Sequence, residues 1–341
     1  MYEQFYGFTE KPFNTTPDPK FFFPSSKHTE ALNSLIYATD QRKGFVVITG
    51  EIGAGKTTVC RTLLNKLQLN TKCAIVTNTH LTSKELITEI LDEFEVDYRE
   101  GTKQRLLSQL NTFLIRQLAS DANMVLIIDE AQNLSPKVLE EVRMLSNLET
   151  EKEKLIQIIL LGQPQLREKL ESIRLEQFKQ RIAVYYHLSA LNKQETQEYI
   201  LHRLKLVSAN GALNIFSPQA VDSIYENSSG IPRLINLICD SALLSGYIYD
   251  TQKITGKIIN EVIKERDFRN QPEEAVQGAE SKDLKIYCCA DCQQYTNCKA
   301  KWIRGTSGEE QLCCPSCQDY ERCITKGTLP KGTPFKGEEN G

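Results

Sequence analysis

Five short apolar runs punctuate the first half of the chain: Phe45-Val46-Val47-Ile48-Thr49, Cys73–Thr77, Met124–Asp129, Leu155–Leu161 and Ala183–Leu188. Runs of this length between turn residues predict buried strands. Between them lie longer amphipathic segments, Lys56–Leu69, Ser83–Phe94, Lys103–Ala119 and Pro136–Leu148, whose apolar residues recur at helical spacing. A further helix is expected from Ser26 to near Gly44, on Ala31, Leu32, Leu35 and Ile36. Strands alternating with helices predict an α/β fold, a parallel sheet covered on both faces. After Leu188 the strand pattern stops. Helical patterns follow at about Lys193–Ser208, Pro218–Asn227, Pro232–Ile248 and Thr255–Phe268, which predicts a small all-helical domain.

The ends of the chain have other textures. Residues 1–25 are crowded with aromatics and prolines (Phe5, Tyr6, Phe8, Phe13 and Phe21-Phe22-Phe23 among them) and show neither period, as an ordered wrapping segment would. Arg269–Asp283 is polar, with too little apolar surface to order itself, and reads as a linker. The expected division is an α/β domain with its aromatic segment at 1–190, a helical lid at 191–268, a linker at 269–284, a Cys-rich module at 285–326 and a disordered tail at 327–341.

Length and charge narrow the picture. At 341 residues, two or three domains are expected. Lys plus Arg number 41 against 44 Asp plus Glu, a net charge of −3, so no global positive field favours nucleic acid or anionic lipid. The longest apolar runs, near Leu155–Leu161 and Leu234–Tyr249, fall short of the roughly 20 residues that span a bilayer. The first residues lack the basic and apolar stretches of a secretory signal, so a cytoplasmic protein is expected.

The most specific motif is G-E-I-G-A-G-K-T, Gly50 to Thr57, set between an expected strand and an expected helix. It satisfies the phosphate-binding pattern G-x-x-x-x-G-K-[ST]. Glycines let the backbone curl its N–H groups toward phosphate oxygens, Lys56 reaches the outer phosphates, and the Thr57 hydroxyl ligates Mg²⁺. The expected ATP-binding set is Gly50, Gly53, Ala54, Gly55, Lys56, Thr57 and Thr58, completed by Asp129. Val125-Leu126-Ile127-Ile128-Asp129-Glu130 is an apolar strand that ends in two carboxylates. Asp129 would hold Mg²⁺ through water, and Glu130 would orient the attacking water, since phosphoryl transfer depends mainly on positioning and charge stabilisation.

With these motifs the chain resembles the AAA+ ATPases and, within them, the general secretion pathway protein A (ExeA-like) family, whose cousins include ATPase subunits of transposition systems. The resemblance covers roughly residues 1–268. Its most specific part is the opening M-Y-E-Q-F-Y-G-F-T-E-K-P-F-N-T-T-P-D-P-K-F-F-F-P-S with His28, Glu30, Ala31 and Leu32. The resemblance implies that this segment packs beside the nucleotide base. It further implies that Gln163, at the end of an expected strand, is the sensor-1 residue, and that Arg181 enters a neighbouring subunit's site. Arg233, in Gly230-Ile231-Pro232-Arg233, would be the sensor-2 residue of the lid. A homo-oligomer, ring or filament, is implied by the role of Arg181. Family members often continue into a membrane span and a peptidoglycan-binding part. Neither is expected here, so the cell-wall half of the function is not carried over.

The eleven cysteines fall into two groups. Cys60, Cys73 and Cys239 stand alone, while C-C-A-D-C-Q-Q-Y-T-N-C at 288 is repeated as C-C-P-S-C-Q-D-Y-E-R-C at 313. Cys289, Cys292, Cys314 and Cys317 form two C-x-x-C pairs at a separation suited to a four-thiolate zinc site. Cys288, Cys298, Cys313 and Cys323 suffice for a second site. Zn²⁺ is expected, and an iron–sulfur cluster, which takes the same ligands, stays open.

The expectation for the whole chain is an ATP-hydrolysing protein that assembles or remodels a protein partner of a cell-envelope secretion or export system. A DNA-associated ATPase regulator of transposition type and a low-turnover nucleotide switch are the alternatives. Balanced charge weighs against DNA.

Overall fold

The structure, a computed structural model, describes residues 1–151, 153–172, 175–209 and 214–270. The expected linker beyond 270, the Cys-rich module and the tail lie outside the described residues.

Helix α1 (Tyr2–Tyr6) and a 3-10 turn (Pro19–Phe21) precede α2 (Ser26–Asp40), β1 (Phe45–Gly50) and α3 (Lys56–Leu64). Then come β2 (Thr71–Val76), α4 (Ser83–Glu93), α5 (Lys103–Ala119) and β3 (Asn123–Ile128). A second 3-10 turn (Ala131–Asn133), α6 (Pro136–Leu145), β4 (Gln157–Gly162), α7 (Pro164–Leu170), α8 (Glu176–Lys179) and β5 (Ile182–Leu188) complete the α/β part. The helical part is α9 (Lys193–Val207), α10 (Pro218–Ser228), α11 (Pro232–Ile248) and α12 (Gly256–Asn270). Helix starts follow local chemistry. Thr82 with Glu85, and Asn192 with Glu195, form reciprocal capping boxes, and Ser135-Pro136 and Ser217-Pro218 pair a capping hydroxyl with proline in the first turn.

Among the described residues, the strands form one sheet in the order β2-β3-β4-β1-β5, all neighbours parallel. Position in this order explains the sequence pattern. The inner strands β1, β3 and β4 are buried along their whole length, whereas the edge strand β5 alternates between buried or half-buried and exposed positions. Phe45 and Val47 of β1 pack on one face with Leu86, Leu106, Val138 and Phe178. Val46 and Ile48 pack on the other with Ala31, Leu35, Val59 and Leu63 of α2 and α3. This is the expected doubly covered α/β fold.

The helical part has its own core, and the N-terminal aromatics are built into it. Tyr2, Tyr6, Phe8, Phe13 and Phe21 are buried with Leu204, Ile224, Ile235, Cys239 and Ile259. Tyr2 donates to Asp240, and the Tyr6 hydroxyl donates to the Thr251 carbonyl at 3.1 Å. The segment also reaches the α/β part, where Arg61 of α3 donates to the Pro17 carbonyl at 2.5 Å. It therefore straps the helical part to the helix that follows the glycine-rich loop.

Candidate active site

In a parallel sheet, all strand ends of one kind lie on one edge, so residues that follow different strands meet there. The glycine-rich loop follows β1, Asp129 and Glu130 follow β3, and Gln163 follows β4, which runs between those two strands.

The loop is shaped by two left-handed glycines, Gly53 (φ 81°) and Gly55 (φ 101°). A Cβ on Gly55 would stand 2.9 Å from His28 Nε2, and one on Gly53 would stand 2.4 Å from Arg233 Cβ, so both side chains close on bare backbone. At Gly50 a Cβ would meet the Leu188 carbonyl at 2.6 Å. Ala54 is fully buried; its N–H donates to the Glu51 carbonyl at 3.1 Å, and its own carbonyl is 2.9 Å from His28 Nε2. Because a carbonyl only accepts, His28 must donate from Nε2, and Nδ1 then accepts from the Ser25 hydroxyl at 2.7 Å. Burial holds the imidazole below its ordinary pKa, with the Ala54 contact and the Glu195 charge acting against that shift.

Helix α3 starts at Gly55 without a side-chain cap, unlike α4, α6, α9 and α10. Its first-turn N–H groups suit an external anion. Lys56 is buried, and its Nζ donates to the Gly50 and Glu51 carbonyls at 2.8 and 3.0 Å. Desolvation lowers its pKa, opposed by the charges of Glu130, Asp129 and Glu51. The Thr57 hydroxyl donates to Asp129 Oδ2 at 2.9 Å, while Asp129 Oδ1 accepts from the Glu130 N–H at 2.9 Å. A hydroxyl beside a carboxylate is the hard-oxygen donor set that suits Mg²⁺. The uncapped helix start, the buried ammonium and this oxygen pair together fit a Mg²⁺–nucleotide. Thr58, on the same turn of α3, accepts from the Thr62 hydroxyl through its carbonyl at 2.8 Å.

Glu130 sits in the left-handed region (φ 51°), which turns the chain sharply after β3. Its Oε2 accepts from Gln132 Nε2 at 2.5 Å and from Gln163 Nε2 at 3.1 Å. Arg233 is brought over the loop, its N–H donating to the Gly53 carbonyl at 3.2 Å. Lys56, Thr57, Asp129, Glu130, Gln163 and Arg233 thus gather at one edge. Arg181 does not join them. It precedes β5, beside Phe45 at the opposite end of β1, where its Nη1 donates to Ser146 Oγ at 3.1 Å and to Asn147 Oδ1. There it lines a cavity of about 530 Å³ with Lys43, Arg143, Lys154, Gln177 and Gln180.

Two contributors escape the motif reading. Gln132 is visible only as an amide two residues beyond Glu130, and His28 is visible only through resemblance, since nothing in its spacing connects it to Ala54. Cys288, Cys289, Cys292, Cys298, Cys313, Cys314, Cys317 and Cys323 lie outside the described residues.

Comparison with known proteins agrees with this geometry. Residues 39–170 match the family described as "AAA domain". General secretion pathway protein A of Aeromonas hydrophila is 43% identical over 255 residues, covering 74% of this chain and 46% of that protein. An uncharacterised HTH-type transcriptional regulator of Methanocaldococcus jannaschii is 25% identical over 245 residues, 68% of this chain and 58% of that protein. The chain spans about half the length of the curated relatives it matches. Among solved structures, the Aeropyrum pernix ORC2 protein superposes with a TM-score of 0.59 at 15% identity, covering 76% of this chain and 72% of that one. Cdc6p from Pyrobaculum aerophilum does so with 0.57 at 17% identity, covering 93% and 92%. These two share the fold.

Proposed function

We propose that the chain, which matches an AAA domain over residues 39–170 and is 43% identical to a general secretion pathway protein A over 255 residues, is an AAA+ P-loop protein of that family that binds and hydrolyses ATP to assemble or remodel a protein partner of a cell-envelope system. The observation that carries the reading is the contact between Thr57 and Asp129, with Lys56 and Glu130 beside it. Mg²⁺, when bound there, neutralises phosphate charge. Lys56 holds the outer phosphates, and the N–H groups at the start of α3 cradle them. Glu130 orients a water and takes its proton as the water oxygen bonds the γ-phosphorus. The bond to the bridging oxygen breaks, and ADP leaves with the electron pair.

Arg181 acts in trans. Its guanidinium stands at the far end of the sheet from its own loop, so it can stabilise phosphoryl charge only in a second copy, and the active unit is a homo-oligomer. No helix among the described residues is long and apolar enough to cross a membrane, and a cytoplasmic location fits a partner that spans the envelope. The repeated C-x-x-C pairs bind zinc in this reading, on their sequence spacing alone. Elemental analysis of the untagged protein checks that part.

A mixing experiment tests the oligomer. Arg181→Ala and Lys56→Ala proteins, each inactive alone, should recover ATPase activity together, because some interfaces then pair an intact loop with an intact arginine. No recovery at any ratio would remove Arg181 from the mechanism. Pull-down with ATP-loaded Glu130→Gln protein then identifies the partner. Recovery of duplex DNA in its place favours the DNA-associated reading, toward which the name of the Methanocaldococcus relative points.

A further inference from the structure

Glu130 is held from two sides by amides on two different loops. Gln132 Nε2 and Gln163 Nε2 both donate to the same carboxylate oxygen, Oε2, and among the described residues Oε1 accepts no hydrogen bond. Gln132 cannot turn away from this contact at will. Its Oε1 accepts the Gln163 backbone N–H at 3.0 Å, and fixing an amide's oxygen on one donor aims its NH₂ at the opposite side. Its main-chain carbonyl accepts from Lys169 Nζ, which also donates to the Leu134 carbonyl at 3.2 Å. The side chain is 8% exposed, and Gly162 leaves it room: a Cβ there would stand 3.1 Å from Gln132 Oε1.

We infer that Gln132 is a positioning residue for hydrolysis, which occupies Oε2 of Glu130 and thereby assigns Oε1 as the oxygen that accepts the proton of the attacking water. The inference rests on the reading of Glu130 as the water-orienting group. The terminal torsion of a glutamate is broad and nearly two-fold, so an unheld carboxylate offers either oxygen over a wide range of angles. Proton transfer needs one oxygen at hydrogen-bond distance in one direction. Two donors on Oε2 remove that freedom before substrate arrives. The contact network could equally serve as a staple between the ends of β3 and β4, and the two roles separate because they use different atoms. The staple uses Gln132 Oε1 as acceptor; the carboxylate clamp uses Nε2 as donor.

Gln132→Glu keeps an acceptor for the Gln163 N–H in the same shape and, in place of the donor, sets a second carboxylate against Glu130 Oε2. Single-turnover ATP hydrolysis by the full chain should fall about tenfold or more, with ATP affinity within about twofold. On a Glu130→Gln background the same change should cost less than about twofold, since the group it acts through is already gone. Gln132→Met, which removes both contacts, should lose at least as much rate and also lower Tm. A Gln132→Glu protein that hydrolyses ATP at the full rate overturns the clamp and leaves the staple. A loss that persists in full on the Glu130→Gln background overturns it as well. If the unchanged protein fails to hydrolyse ATP, the reading of Glu130 itself falls and takes the clamp with it.

Discussion

Arg203 is buried, 6% exposed, and no carboxylate among the described residues pairs with it. Its Nη1 donates to the Pro12 carbonyl at 2.9 Å and the Asn14 carbonyl at 3.0 Å, and the guanidinium lies 4.7 Å from the Phe21 ring centre and 5.3 Å from that of Tyr199. These contacts join the N-terminal strap to α9. Arg203→Met keeps the apolar stem and removes the head group. The buried Pro12 carbonyl then loses its donor, which costs about 1–3 kcal/mol. Two desolvated cation–π contacts add about 1 kcal/mol each. The Asn14 carbonyl adjoins an exposed side chain and can turn to water, so its loss weighs little. Against these stands relief from burying a guanidinium whose Nε has no hydrogen-bond partner among the described residues, about 1–2 kcal/mol back. The net loss is about 2–3 kcal/mol. For a unit of this size that lowers Tm by roughly 5–10 °C. Thermal unfolding of the full chain followed by circular dichroism reads this directly, and limited trypsin digestion should show faster cleavage at Lys20 as the strap loosens. Arg203→Lys should recover less than half of the loss, because an ammonium lacks the flat guanidinium face that lies over two rings. A Tm within about 1 °C of the unchanged protein, or full rescue by lysine, would show that the strap is held by its aromatics alone.

Two further outcomes follow from single sites. Burial depresses the pKa of His28 below 6.5, so the unfolded chain takes up its proton more readily; the stability tied to neutral His28 is full above that value and lost as pH falls below it. His28→Gln should therefore flatten the fall of Tm between about pH 7 and 5, and an unchanged slope would contradict the buried neutral imidazole. Gly230 has φ 72°, and a Cβ there would stand 1.8 Å from the Leu191 carbonyl oxygen. Gly230→Ala should lower Tm by several degrees, roughly 5 °C or more, and weaken ATP binding by displacing Arg233, which lies three residues on; isothermal titration with wild-type affinity would sever that link.

The alternation of short apolar runs with amphipathic helices is enough to give the sheet, because β1, β3 and β4 are enclosed on both faces and their sequences are apolar throughout. The P-loop residues and the Asp129-Glu130 pair were equally legible, since their spacing reflects chemistry that few other sequences need. Short elements were not. Helices α7 and α8, of seven and four residues, are too brief for a period to show. Helix α1, five residues long, is hidden among aromatics whose burial is decided by a distant partner. The opening aromatics announce that they must be covered, but only the fold shows that α9 and α11 cover them. The same holds for contacts built across loops. Gln132 and Gln163 are 31 positions apart, and only the adjacency of β3 and β4 turns two ordinary amides into partners of one carboxylate.

In the proposed mechanism Glu130 acts after nucleotide is bound and Lys56 acts before. Rapid mixing of the full chain with labelled ATP and Mg²⁺, measuring bound nucleotide and released phosphate in the same samples, separates the two. Glu130→Gln should retain ATP at wild-type affinity while phosphate release slows by about a hundredfold or more, and Lys56→Ala should retain no nucleotide at all. Phosphate release at the wild-type rate from Glu130→Gln, or tight ATP retention by Lys56→Ala, would contradict the assignment of this strand edge as the hydrolytic site.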